Sequence, residues 1–179
     1  SLVDELKLNG GELIEVALEN PDPHHKVVLQ SLKVITAIEG RDLDDHHDFN
    51  RFEDLPRFEN PEQLALSTEG GLLAMRIFDL FAPLGFGERV LLISEAGAGK
   101  TILIQQIANA VAEAHPETKS MILLLDERPE EVTNMERTIP GRVFASSSYK
   151  DSASHIKVAE FALMRARRLV EAGKDVFKG

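Results

Sequence analysis

Apolar positions along the chain fall into two regimes. Up to about Ile38 they come as short clusters of strand length: Leu13-Ile14-Glu15-Val16, Val27-Val28-Leu29 and Leu32-Lys33-Val34-Ile35. Asn20-Pro21-Asp22-Pro23 separates the first two with turn residues. The clusters predict a hairpin or three-strand piece, too small to close a core by itself. Glu39 to Asn50 is polar, charged and unpatterned, and reads as a linker.

From Leu72 onward the pattern alternates between strand and helix. Val90-Leu91-Leu92-Ile93 is a continuous apolar run of the kind found in parallel sheets covered on both faces. Leu103, Ile104, Ile107, Ala108, Val111 and Ala112 then recur at three-to-four spacing and predict a helix, ended by His115-Pro116. Met121 to Leu125 is the next buried strand, and Val143-Phe144-Ala145 a candidate third. Ile156, Ala159, Leu163, Ala166 and Val170 trace a long second helix stopped by Gly173. This order means an α/β fold with a parallel sheet and right-handed crossovers.

Composition narrows the class without changing that picture. The 179 residues are 43% hydrophobic, enough for one core plus a small accessory piece. No apolar run approaches the roughly 18 residues that span a bilayer, and the first residues carry no signal-peptide pattern. Cysteine is absent, which excludes thiolate metal sites and cysteine nucleophiles and fits the cytoplasm. The net charge is −10, and residues 1–56 hold thirteen acids against five bases. Such a segment is a poor electrostatic clamp for nucleic acid.

The strongest chemical signal is Ser94-Glu95-Ala96-Gly97-Ala98-Gly99-Lys100-Thr101, between a predicted strand and a predicted helix. A glycine-rich turn of main-chain amides, followed by a helix N-terminus, favours a polyphosphate. Lys100 is placed to reach the β- and γ-phosphates, and Thr101 to put its hydroxyl on Mg²⁺. The full pattern wants glycine at position 94, where this chain has serine. The second signal is Asp126-Glu127 at the carboxyl end of the next strand, where both carboxylates could face the phosphates. Taken bare, Asp126 supports Mg²⁺ and Glu127 orients the attacking water. The plainer reading is a helix start, because Arg128-Pro129-Glu130-Glu131 puts acids in a first turn.

Several blocks together resemble a known family. Leu124-Leu125-Asp126-Glu127-Arg128-Pro129-Glu130-Glu131-Val132-Thr133 is similar to a signature of the bacterial transcription termination factor Rho family. So are Arg51-Phe52-Glu53-Asp54-Leu55, the stretch from Phe78 to Gly85, Ile107-Ala108-Asn109-Ala110, and the stretch from Arg168 to Val176. These matches cover residues 51–176 in order. Residues 1–42 look like the last strands of the family's oligonucleotide-binding (OB-fold) barrel. The resemblance implies a β segment at 1–42, a linker at 43–71, and at 72–179 the N-terminal part of a RecA-like P-loop ATPase. It further implies a homo-hexamer that hydrolyses ATP to move along RNA and release transcripts from RNA polymerase. Glu95, Ala96, Gly97, Ala98, Gly99, Lys100, Thr101, Ile102 and Arg128 would surround the nucleotide. Thr101 would hold Mg²⁺, and Glu127 and Lys100 would serve catalysis. The family places its magnesium-supporting aspartate on a later strand, near the match to Lys174-Asp175-Val176, which takes that role from Asp126.

Departures from the family pattern matter too. Glu95, Ala96 and Gly97 stand where the family has two prolines and a lysine, which predicts weaker nucleotide affinity. The barrel's base-stacking aromatics are not recognisable, Tyr149 is the sole tyrosine, and Val27-Val28-Leu29 occupies an aromatic's place. Such stacking is worth roughly 1–3 kcal/mol per base. Phe177-Lys178-Gly179 resembles a segment further along in the family, so one expectation is a missing internal stretch. The alternative function is a degenerate nucleotide-binding or interaction domain without turnover. A rotary-ATPase subunit is a third reading, against which the Asp-Glu-Arg-Pro-Glu-Glu block argues. Asp44-Asp45-His46-His47-Asp48 and His24-His25 read as solvated polar runs rather than metal sites. Arg165, Arg167 and Arg168 read as a solvated stripe, with RNA contact the sharper alternative. Ser146-Ser147-Ser148 reads as a loop with no histidine base nearby in sequence.

Overall fold

The computed structural model describes residues 8, 10–18, 32–38, 41–42, 51–56, 62–95 and 97–179. Strands β1 (Ile14–Leu18), β2 (Leu32–Ile38) and β3 (Arg41–Asp42) form an antiparallel sheet in that order. Two of the three predicted apolar clusters are therefore strands. The third, Val27-Val28-Leu29, and both histidine pairs lie outside the described residues. β3 falls inside the polar stretch expected to be a linker. Its residues carry no apolar signal, and they pair because the main chain of Ala37 and Ile38 offers them hydrogen-bonding groups.

A second unit follows the expected alternation. Helix α1 (Leu73–Phe81) precedes α2 (Lys100–Ala114), β4 (Lys119–Glu127), α3 (Pro129–Thr138), β5 (Arg142–Ser147), α4 (Ser152–Glu171) and β6 (Val176–Lys178). The three strands form a parallel sheet in the order β5-β4-β6. This is an α/β fold with the parallel sheet that the pattern predicted.

The period of two along β4 sorts its side chains between two layers. Ile122 and Leu124 pack with Ala108 of α2, Met135 of α3 and Ile139. Met121 and Leu123 pack on the other face with Phe144 and Ala162 of α4. Leu64, Leu66, Met75 and Leu84 bury the far side of α2 against Ile107 and Val111, so the core reaches back well before Leu72. Asp79 ties this corner together. Its carboxylate accepts the N–H of Leu66 at 3.0 Å and that of Ser67 at 2.8 Å. Partial burial pushes the carboxyl up, but the hydrogen bonds from Ser67 and Leu66 outweigh it and hold it below its ordinary value. A depressed carboxyl stabilises the fold above its unfolded pKa and loses that contribution as pH falls through the folded value. Asp79→Asn is therefore expected to cost about 1 kcal/mol at neutral pH. In urea titrations the gap from the parent should narrow toward acid.

One strand expectation fails. Val90-Leu91-Leu92-Ile93 is not a strand, and Val90, Leu91 and Ile93 are 62%, 82% and 82% exposed. An apolar run becomes a buried strand only where a sheet edge pairs with it and a layer covers it. Among the described residues no strand pairs with 88–95.

The arginine stripe of α4 also departs from expectation. Arg168 Nη1 lies 2.7 Å from Glu171 and 3.8 Å from Glu12, and all three side chains are largely buried. Arg165 is 9% exposed and donates to the carbonyl of Gly11 at 3.3 Å. Arg167 pairs with Glu53 at 3.6 Å and lies 5.4 Å above the Phe52 ring. The Phe52 N–H in turn donates to Glu171 at 2.9 Å. These arginines clamp residues 11–12 and 52–53 onto α4, because a guanidinium beside carboxylates gains more from pairing than from a single solvated pose. The serine run is corrected as well. Ser146 and Ser147 end β5, and α4 brings His155 Nδ1 within 2.8 Å of the buried Ser146 hydroxyl.

Candidate nucleotide site

The loop expected to receive phosphate runs directly into α2, and the strand expected before it is missing. Gly97 and Gly99 have φ of +79° and +86°, and Gly99 is the left-handed N-cap of α2. A side chain at either position would meet no atom within 4 Å, so the backbone angle alone demands glycine there. The Ala98 N–H donates to the Glu95 carbonyl at 3.3 Å, which draws the turn tight. Ser94, Glu95, Gly97, Ala98, Lys100 and Ile102 are exposed, while Gly99 and Thr101 are half-buried. Ala96 lies outside the described residues. The first turn of α2 holds no acid, so its partial positive charge is left for an anion.

The second part of the site comes from β4 and α3. Glu127 ends β4 half-buried, and Arg128 is the N-cap of α3, its carbonyl accepting from Glu131 and Val132 at 3.0 and 3.1 Å. Burial pushes the Glu127 carboxyl above its ordinary value, and the charge of Glu131 and a hydrogen bond with it add to the shift. The Arg128 N–H and the charge of Lys100 pull the other way. The fold thus brings Lys100, from the start of α2, into electrostatic reach of Glu127, at the end of the neighbouring strand. Glu131 was legible only as an acid complementing a helix dipole. Its place beside Glu127 follows from the four-residue spacing between a strand end and the first turn of the next helix. Asp126 is exposed with φ +60°, on a residue that breaks the pairing register with β5.

Comparison with known proteins gives the family. A family model described as ATP synthase alpha/beta family, nucleotide-binding domain, matches residues 74–177. The chain belongs to that family. Within the ATP synthase alpha/beta family, it is similar to proteins named transcription termination factor Rho. It is 44% identical over 147 residues to that of Streptomyces coelicolor, covering 82% of this chain and 35% of the relative. The Mycobacterium tuberculosis H37Rv protein is 39% identical over 163 residues, covering 91% and 27%. The Bacillus subtilis protein is 37% identical over 176 residues, covering 98% and 41%. The chain therefore spans about a quarter to two-fifths of the length of these relatives. The Rho resemblance carried by the Asp126 to Glu131 block is borne out, inside a family that also takes in the ATP synthase subunits of the third reading.

Proposed function

We propose that this member of the ATP synthase alpha/beta family binds MgATP at residues 94–101 and supplies part of the active site of an RNA-dependent ATPase in transcription termination. The observation that carries the reading is a loop whose two left-handed glycines, open above, lead into Lys100 at a helix N-terminus free of acids. Main-chain amides and Lys100 would grip the phosphates, with Arg128 at the rim of the site. Thr101 would hold Mg²⁺, whose charge is shared with the phosphate oxygens. Glu127 would accept a proton from the attacking water, a role for which a carboxyl raised above its ordinary value is suited. RNA, RNA polymerase and further copies in a hexamer are the partners this role requires, and the cytoplasm is its setting. Among the described residues no helix is long and apolar enough to cross a membrane.

A second reading, a nucleotide-binding module without turnover, is favoured by one observation. The exposed Val90–Ile93 run leaves the phosphate loop unsupported on its N-terminal side. Measuring ATP hydrolysis with and without RNA separates the two. The first reading expects turnover that RNA accelerates, and Glu127→Gln should lower kcat by roughly 100-fold or more while leaving ATP binding intact. Tight magnesium-dependent binding with no turnover under any condition selects the second.

A further inference from the structure

β4 and β5 run in register from Met121 opposite Arg142 to Leu125 opposite Ser146, and then the count slips, so that the residue opposite Ser147 is Glu127. Asp126 is the surplus residue of a one-residue bulge. Its φ of +60° makes it the single non-glycine residue with positive φ among those described. Aspartate is one of the few side chains that tolerate this backbone region.

The period of two gives the slip its consequence. Odd-numbered Met121 and Leu123 face α4, while even-numbered Ile122 and Leu124 face α2 and α3. In an unbroken strand, residue 127 would fall with the odd set, beneath α4. With Asp126 looped out of the count, Glu127 takes the place residue 126 would have had, on the face of Leu124. That is the face covered by α2, the helix that carries the phosphate loop. The charges of Lys100 on α2 and Glu131 on α3, which act on the Glu127 carboxyl in opposite directions, agree with that placement.

We infer that Asp126 is a positioning residue whose left-handed main chain turns Glu127 onto the phosphate-loop face. It acts through its backbone, and its carboxylate is dispensable. This replaces the expectation that Asp126 and Glu127 both face the phosphates, since the bulge gives that face to one of them. The purpose assigned to the device rests on the proposed ATPase reading, whereas its geometry does not.

The chain has no cysteine, so paired cysteines report on faces cleanly. Lys100→Cys with Glu127→Cys is expected to cross-link with a short bifunctional thiol reagent. Adding Asp126→Gly or Asp126→Asn should leave the rate within about twofold, because both residues accept the left-handed region. Asp126→Val, whose branched side chain resists it, should slow the reaction roughly tenfold or more, with Asp126→Ala in between. Circular dichroism checks that each variant folds, and the Ala variant decides the matter if the Val variant does not. With Lys100 and Glu127 restored, the Ala and Val variants should lose kcat for ATP while keeping the nucleotide KM, and the Asn variant should keep both. Failure of the parent pair to cross-link, or equal rates in the folded Ala, Val and Gly variants, overturns the inference. Unchanged ATP binding in Lys100→Ala would instead overturn the ATPase reading and leave the cross-linking result standing.

Discussion

Lys100→Ala is expected to weaken magnesium-dependent ATP binding by roughly a hundredfold, the scale set by removing one fixed donor from a charged oxygen. The physical case is local. The loop holds two left-handed glycines with open space above them, and α2 begins at Lys100 with no acid in its first turn. The lysine is the one cation among described residues 94–101, and Glu95 stands nearby in sequence as an opposing charge. With so little positive charge to share the work, loss of Lys100 should be felt in full. Calorimetry with a slowly hydrolysed ATP analogue, with and without magnesium, measures it. Lys100→Arg should recover only part of the affinity, because a planar fork does not replace a compact ammonium. Binding that is indifferent to Lys100→Ala would mean the loop receives no triphosphate.

The second large effect lies away from the nucleotide. Arg168→Ala is expected to destabilise the fold by about 3 kcal/mol, the range for breaking a buried pair by removing one partner. Arg168, Glu12 and Glu171 have side-chain exposures of 16%, 6% and 7%. Without the guanidinium, the covered Glu171 carboxylate loses its 2.7 Å partner, and with it the support with which it holds the Phe52 N–H. Arg167→Ala is the control. Its partner is two-thirds exposed and the pair is solvated, so the loss should stay near 0.5 kcal/mol. Urea unfolding of both variants tests the contrast. A further test is the double change Arg168→Met, Glu171→Gln, which should recover part of the loss by removing the carboxylate that Arg168 paired at 2.7 Å.

Sequence periodicity carried much of this fold, for reasons that particular elements make plain. α2, β4, β5 and α4 were legible because their apolar spacing reflects burial against neighbours that the described residues contain. Val90–Ile93 has the same apolar signal and is not a strand, because pattern records what a segment could bury and not whether an edge is there to receive it. The turn at Gly97 and Gly99 was readable because glycine at positive φ is a demand of the backbone and leaves its mark on composition. The bulge at Asp126 was not readable. A one-residue slip has no compositional signature when the surplus residue is a polar aspartate at a strand end. The arginine clamp was misread for a related reason. Arg165 borders the apolar face of α4 while Arg167 lies on the opposite side, and only the return of residues 11–12 and 52–53 gives these arginines and Arg168 their partners.

The uncovered Val90–Ile93 run also bears on how this molecule behaves in bulk. Exposed Val90, Leu91 and Ile93, with no strand beside them among the described residues, form the kind of segment on which copies stick to one another. What opposes such clumping is mutual repulsion between molecules carrying a net charge of −10, a brake that weakens toward the isoelectric point near 5.1. Acidity and salt, which blunt that repulsion, therefore govern the colloidal behaviour of the chain as much as its shape does.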